Sequence, residues 1–141
     1  MIKSKAQAHW AGPLLSGTGS VALATSNAAT FPVGWAARAE GVPGTTNPEE
    51  LIAAAHATCY SMALANGLAG NGTSPETLDT TVEVGFDPRS GITGSHITVV
   101  GVVPDIDAEM FQKFAEDAKA NCPVSKALAG IPITLEATLK A

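Results

Sequence analysis

The chain has 141 residues, with 8 Lys plus Arg against 13 Asp plus Glu and a formal net charge of -5. This length predicts one domain over residues 1–141, which buries roughly two thirds of its unfolded surface. The acidic balance lacks the electrostatic footprint of a protein that binds nucleic acid or an anionic membrane, so neither partner is expected. With no signal-peptide core and no apolar run of about 18 residues, the expected location is cytoplasmic.

Alternation of apolar and polar residues predicts three strands in the first part of the chain. In the third of them, Pro32 and Gly34 weaken the start and leave residues 35–40 as the firmer part. We expect the three strands to form an antiparallel meander. They are predicted at residues 6–10, 19–25 and 31–40.

A long helix is predicted after the next loop. Asn47 can cap it, and Pro48 can occupy its first turn, where the missing N–H is harmless. The helical pattern continues to about Leu68 and is apolar on most faces. A helix of this kind belongs inside a structure, so we expect it at the core and at a subunit interface.

In the second half of the chain, the residue pattern predicts a hairpin, two helices and a last strand. Asp107 can cap the first of these helices, and Asn121 or Cys122 opens the second, short one. The order βββα followed by ββααβ predicts the α+β class, with antiparallel sheets around the long central helix, because βαβ units would alternate more regularly. The strands are predicted at residues 78–86, 92–103 and 131–139.

The two cysteines stand in segments suited to thiol chemistry. Cys59 lies well inside the long helix, and Cys122 lies at the start of the short one. A reducing cytosol disfavours a lasting disulfide, so two cysteines there are catalytic, redox-sensing or simply buried. A buried thiol and a thiol at a helix start form a candidate redox couple, because a helix N-terminus, a cation or hydrogen bonds can stabilise a thiolate.

Only two arginines could supply the cation. Arg89 falls in a hairpin turn, where solvation explains it. Arg38 is predicted on the third strand between two alanines, where a guanidinium can reach along a buried surface and needs a carboxylate. Glu49 and Glu50 are both candidates for that carboxylate.

Glu49 and Cys59 are ten positions apart on the predicted helix, which places them about 15 Å apart along its axis. They cannot touch within one straight helix. If two such helices pack antiparallel about a two-fold axis, Glu49 of one subunit lies beside Cys59 of the other. The hypothesis is therefore a homodimer with a site shared between subunits.

Several other interpretations of these residues remain open. Either cysteine could be only a packed core residue, or the two could form a permanent disulfide, which requires Cα atoms within about 7 Å of one another. His56, one turn before Cys59, suggests a Cys-His hydrolase, but capping or packing explains it better, because a hydrolase nucleophile needs an exposed path and an oxyanion hole that the sequence does not indicate. Neither CxxC nor HExxH occurs, so no metal or other cofactor is expected. A non-enzymatic stress or small-molecule-binding protein is the alternative function.

Two stretches resemble the cysteine motifs of the OsmC/Ohr family of thiol peroxidases. The segments around residues 6–10 and 38–41 resemble its OsmC branch, so the likeness covers nearly the whole chain. The first motif reads Thr46-Asn47-Pro48-Glu49-Glu50-Leu51 and Ala54-Ala55-His56-Ala57-Thr58-Cys59-Tyr60-Ser61-Met62-Ala63-Leu64, and the second reads Cys122-Pro123-Val124-Ser125-Lys126-Ala127-Leu128.

The resemblance implies an intertwined α+β homodimer that reduces organic hydroperoxides, and hydrogen peroxide less efficiently, in oxidative and osmotic stress defence. It implies that Cys59 is the peroxidatic thiolate and Cys122 the resolving thiol, which forms a disulfide with it. Arg38 and Glu49 would then activate and orient Cys59. The reductant would be an external dithiol, of lipoyl type or similar.

Overall fold

The computed structural model describes residues 1–140 and divides the chain into two compact units, Met1–Leu51 and Ile52–Ala141. The predicted α+β class is confirmed, and the single domain over residues 1–141 stays a prediction. The elements in chain order are β1 (Gln7–Ala11), β2 (Thr18–Ala22), β3 (Thr30–Val33), α1 (Trp35–Ala39), α2 (Pro48–Gly70), β4 (Thr77–Asp87), β5 (Gly91–Val102), α3 (Ala108–Asn121), α4 (Pro123–Ala127) and β6 (Ile133–Leu139).

The first unit contains the antiparallel meander that the sequence predicts. Its strand order is β1-β2-β3, with both pairs antiparallel. Gly19 on β2 lies opposite Trp10 on β1, and a Cβ at Gly19 would come within 2.5 Å of the Trp10 ring. Glycine at this position therefore leaves room for the indole on that face of the sheet.

The third predicted strand is wrong in its second half. β3 ends at Val33, and Trp35–Ala39 form the short helix α1 after an extended Gly34. The segment holds three alanines, and alanine has the highest helix propensity of any residue. Arg38 therefore lies on a helix and not on a strand, and the element order gains a helix before α2.

The second unit contains a mixed sheet in the order β4-β5-β6. β4 and β5 form the predicted antiparallel hairpin, but β6 pairs with β5 in parallel. The prediction of purely antiparallel sheets is therefore wrong for this pair. Between the two strands the chain passes through α3 and α4, and such a crossover allows a strand to return in the same direction.

The core of the second unit lies between α2, β5 and α3. Every fourth residue of α2 from His56 to Leu68 is buried, which produces one inward stripe, whereas Met62 on another face is 67% exposed. Tyr60 donates a hydrogen bond from its hydroxyl to the Ala115 carbonyl, 3.1 Å away, and so joins α2 to α3. The core consists of Tyr60, Leu64, Leu68, Ile97, Val99, Val103, Phe111 and Ala118.

Candidate active site

In the first unit, the guanidinium of Arg38 is paired with Glu49. Nε and Nη2 of Arg38 both donate to Oε1 of Glu49, at 2.9 and 2.7 Å. The Glu49 side chain is only 6% exposed and that of Arg38 30% exposed, so the pair is largely shielded from water. Hydrogen bonds between charged groups are stronger than those between neutral groups, and two donors on one oxygen fix the orientation of the guanidinium.

The two neighbouring carboxylates, Glu49 and Glu50, have different partners at the start of α2. The Asn47 side chain accepts the N–H of Glu50 at 2.8 Å, as predicted for the helix cap, and donates to the Ala37 carbonyl at 2.9 Å. This amide joins the start of α2 to α1, which carries Arg38. Glu50 instead accepts a hydrogen bond from the Thr46 hydroxyl.

An apolar pocket of about 270 Å³ lies next to this ion pair within the first unit. Arg38 is the charged residue in its wall, and the remaining wall is apolar side chains and one glycine. A pocket of this composition suits an apolar group that carries a polar end near the guanidinium. Its other lining residues are Ala8, Trp10, Leu14, Val21, Val33, Gly34, Trp35, Pro48 and Leu51.

In the second unit, the two cysteines are free thiols in hydrogen-bond contact with each other. Cys59 lies on α2, and Cys122 is the residue that precedes the first turn of α4. Cys122 is fully buried, whereas Cys59 is partly exposed and lines an open groove between α2 and α3. A molecule from solvent can therefore reach the sulfur of Cys59 but not that of Cys122.

The two thiols have opposite pKa shifts. Burial raises the pKa of the Cys59 thiol, and its hydrogen bond to Cys122 raises it further. Burial also opposes ionisation of Cys122, but hydrogen bonds from Cys59, Ser125 and Val124 outweigh burial and lower its pKa. Because a hydrogen bond to the charged form favours that form, these contacts favour ionisation of Cys122 over ionisation of Cys59.

A buried histidine continues this cluster. His56 is fully buried, with Nδ1 2.7 Å from the Ser95 hydroxyl and Nε2 2.8 Å from the Ser125 hydroxyl. For His56 the sequence favoured capping or packing over a hydrolase role, and it did not predict either serine partner. Ser125 lies three residues after Cys122 in the second motif, which is the one signal that could have identified it.

Across residues 1–140, no three His, Cys, Asp or Glu side chains gather as a metal ion would need. In the same described range, no helix combines the length and apolar character that crossing a bilayer requires. Arg89 is exposed in the β4–β5 turn, as predicted.

Two neighbouring free thiols, one accessible and one buried, are the arrangement typical of a thiol-dependent oxidoreductase. The comparisons then identify the family. Residues 41–136 match the sequence model described as OsmC-like protein. The chain is also 43% identical to Peroxiredoxin OsmC of Escherichia coli, over 99% of this chain and 98% of that protein. The protein belongs to the OsmC family, which confirms the predicted family and, at the level of enzyme class, a peroxidase.

Solved structures confirm the fold. An organic hydroperoxide resistance protein OsmC from Legionella pneumophila has a TM-score of 0.70 at 22% identity and covers 100% of this chain and 98% of its own. The organic hydroperoxide resistance protein OhrB of Bacillus subtilis has a TM-score of 0.64 at 27% identity, over 96% of this chain and 98% of its own. An OsmC-like protein from Mycoplasma pneumoniae has a TM-score of 0.73 at 14% identity, over 99% of each chain.

Proposed function

We propose that the protein reduces organic hydroperoxides to alcohols, and hydrogen peroxide less efficiently, in oxidative and osmotic stress defence. Cys59 is the attacking sulfur and Cys122 the sulfur that closes the disulfide. The observation that carries this proposal is the proximity of an accessible thiol and a buried one, which lie close enough to shift each other's pKa. Such a pair can form a disulfide after oxidation with little movement of either element.

The reaction begins when the Cys59 thiol loses its proton. The Cys59 thiolate attacks the distal oxygen of the hydroperoxide, the O–O bond breaks, and the alkoxide takes up a proton and leaves as the alcohol. Cys59 is then a sulfenic acid. The Cys122 sulfur attacks it, the S–O bond breaks, and water is released as the disulfide forms. An external dithiol, of lipoyl type or similar, exchanges with the disulfide and restores both thiols.

The preference for organic substrates is supported by the apolar pocket in the first unit. An alkyl group of a hydroperoxide would fill this pocket, and the Arg38 guanidinium in its wall would face the peroxide oxygens. A fixed positive charge stabilises the negative charge that develops on the leaving oxygen. Glu49 holds the guanidinium in place through its two hydrogen bonds. Hydrogen peroxide has no alkyl group and gains nothing from the pocket.

The active form is proposed to be a homodimer in which two α2 helices pack antiparallel. In that arrangement the Arg38–Glu49 pair of one subunit serves Cys59 of the other. The open, largely apolar face of α2 around Met62 supports this packing, because a second copy would cover it. The arrangement is wrong if a monomeric form keeps full activity.

The test is peroxide consumption with an organic hydroperoxide or hydrogen peroxide, with dihydrolipoamide or a monothiol as reductant. We expect faster turnover with the organic hydroperoxide and with the dithiol. Cys59→Ser should lose turnover entirely. Cys122→Ser should keep oxidation of Cys59 but lose efficient turnover, because the sulfenic acid is no longer trapped. Unchanged consumption by Cys59→Ser would refute the assignment of Cys59, and no consumption by the wild-type chain would favour a binding protein with this fold.

A further inference from the structure

A series of neighbouring polar side chains leads from the cysteines through the core of the second unit. Cys59 and Ser125 both lie close enough to Cys122 to act on its pKa, and Ser125 is the third residue after Cys122, within α4. Ser125 is in turn 2.8 Å from Nε2 of His56, whose Nδ1 is 2.7 Å from Ser95. These contacts join α2, α4 and β5.

The three inner members of this series are almost completely buried, and Ser95 keeps a small exposed fraction at the far end. His56 is fully buried, and Ser95 and Ser125 are 2% and 4% exposed. Both ring nitrogens of His56 have a hydroxyl partner, so the imidazole is fully satisfied as a neutral ring. Buried polar groups with complete partners of this kind fix one arrangement of the core.

The far end of this series of side chains, at Ser95, reaches an open groove. Ser95 lines this groove, of about 330 Å³, together with Glu83, His96 and Thr134. Protons from solvent can therefore exchange at Ser95, at the opposite end of this series of side chains from the thiols. The buried Cys122, which solvent cannot reach directly, is linked to water by three side chains.

We propose that Ser125, His56 and Ser95 are a proton relay for Cys122, and that His56 is the positioning residue that orients the Ser125 hydroxyl. The proposal rests on the assignment of Cys122 as the sulfur that attacks the oxidised Cys59. It assigns to the three residues the task of releasing the Cys122 proton when the attack occurs. They also return that proton when the disulfide is reduced.

The hydrogen bonds along these side chains can point in two directions, one for the thiol and one for the thiolate of Cys122. With a thiol, Cys122 donates to Ser125, Ser125 donates to Nε2 of His56, and Nδ1–H donates to Ser95. With a thiolate, every donor reverses, so that Ser125 donates to the sulfur and Nε2–H donates to Ser125. Burial lowers the pKa of His56, so the ring changes tautomer as the proton passes and does not remain an imidazolium.

The step balances in atoms and electrons. When the Cys122 proton is released, one proton moves along each hydrogen bond and Ser95 gives one to water in the groove. The Cys122 thiolate forms the S–S bond with Cys59, and the S–O bond of the sulfenic acid breaks. The departing hydroxide takes up a proton from solvent and becomes water. No oxidant or reductant beyond the sulfenic acid is used.

The first experiment measures the ionisation of Cys122 alone. In a Cys59→Ser background, the ultraviolet absorbance of the thiolate is followed against pH. Ser125→Ala and His56→Leu should each move the midpoint to higher pH, because the donor to the sulfur is lost or misdirected. In His56→Gln the amide can still donate to Ser125, so the pH midpoint of Cys122 ionisation should return most of the way to its original value. An unchanged midpoint in both Ser125→Ala and His56→Leu would overturn the relay.

The second experiment separates the two chemical steps in a single turnover with tert-butyl hydroperoxide. Sulfenic acid formation on Cys59 should keep its rate in the relay variants. Disulfide closure should slow about tenfold in Ser125→Ala and by less in Ser95→Ala, as expected for loss of a charge-assisted hydrogen bond. A matched control is Ser61→Ala. Ser61 lies on α2, as His56 does, and its hydroxyl contacts that of Thr80 at 2.7 Å, outside the relay.

The outcomes distinguish this proposal from the proposed function. If the wild-type chain forms no sulfenic acid on Cys59, the function itself is wrong. If closure occurs but has the same rate in Ser125→Ala and Ser61→Ala, only the relay is wrong. Slower disulfide closure with an unchanged pH midpoint of Cys122 ionisation also overturns the relay, because the substituted residue then has only a structural role. If His56→Leu does not fold, the two serine variants still decide.

Discussion

Replacement of Glu49 by Gln keeps the size of the side chain and removes its charge. In the structure this carboxylate receives both donors of Arg38 on one oxygen, and its side chain is only 6% exposed. The variant leaves a guanidinium without its counter-charge in a shielded position. Arg38 would then sample other orientations, and its place next to the apolar pocket would no longer be fixed.

The loss of unfolding free energy expected for Glu49→Gln lies between the losses for breaking an exposed ion pair and a buried one. Exposed pairs contribute about 0–1 kcal/mol, and removal of one partner from a buried pair costs about 3–5 kcal/mol. Since Arg38 remains 30% exposed, we expect the free energy of unfolding to fall by about 1–3 kcal/mol. The rate of hydroperoxide reduction should fall about 10²-fold, the usual loss when a catalytic group is displaced by about 1 Å.

The assay combines urea unfolding with initial rates on an organic hydroperoxide at fixed dithiol concentration. Glu50→Gln is the matched control, because Glu50 is exposed and contacts the Thr46 hydroxyl instead of Arg38. It should keep its stability to within about 0.5 kcal/mol and nearly all of its rate. Equal losses in the two variants, or a native rate in Glu49→Gln, would refute the role given to the Arg38–Glu49 pair.

Two further predictions concern the second unit. Cys122→Ser should lower the pKa of Cys59, because Cys122 adds to the rise that burial causes. The alkylation rate of Cys59 against pH measures this shift, and a shift to higher pKa would contradict the effect assigned to Cys122. Gly101→Ala should cost about 1–3 kcal/mol in urea unfolding, since its Cβ would lie 2.8 Å from the Phe111 ring. Gly130→Ala, with nothing within 4 Å, is the control, and an equal loss there would contradict the packing argument.

The sequence identifies the parts of the site that local patterns encode. Asn47 and Asp107 cap their helices as predicted, because an N-cap needs only the residue and the turn that follows. Cys59 and Cys122 lie in motifs specific enough to indicate a redox couple before any contact is known. Their contact follows from tertiary packing, and the resemblance to a family supplied it as an expectation.

The errors arise where local patterns are ambiguous or where pairing is distant. The alanines around Arg38 fit both a strand edge and a short helix, and tertiary context selects the helix. Strand direction for β6 depends on the path of α3 and α4, and alternation of side chains is the same in either direction. The partner serines of His56 lie 39 and 69 positions away, so no spacing rule could connect them.

The most direct test of the central claim is intact-mass analysis and peptide mapping after one equivalent of organic hydroperoxide. The native chain should lose two hydrogen atoms and give a peptide pair joined through Cys59 and Cys122. Cys122→Ser should gain one oxygen atom on Cys59, and Cys59→Ser should remain unchanged. Oxygen on Cys122 in the Cys59→Ser variant, or a native chain that forms no such joined pair, would contradict the account.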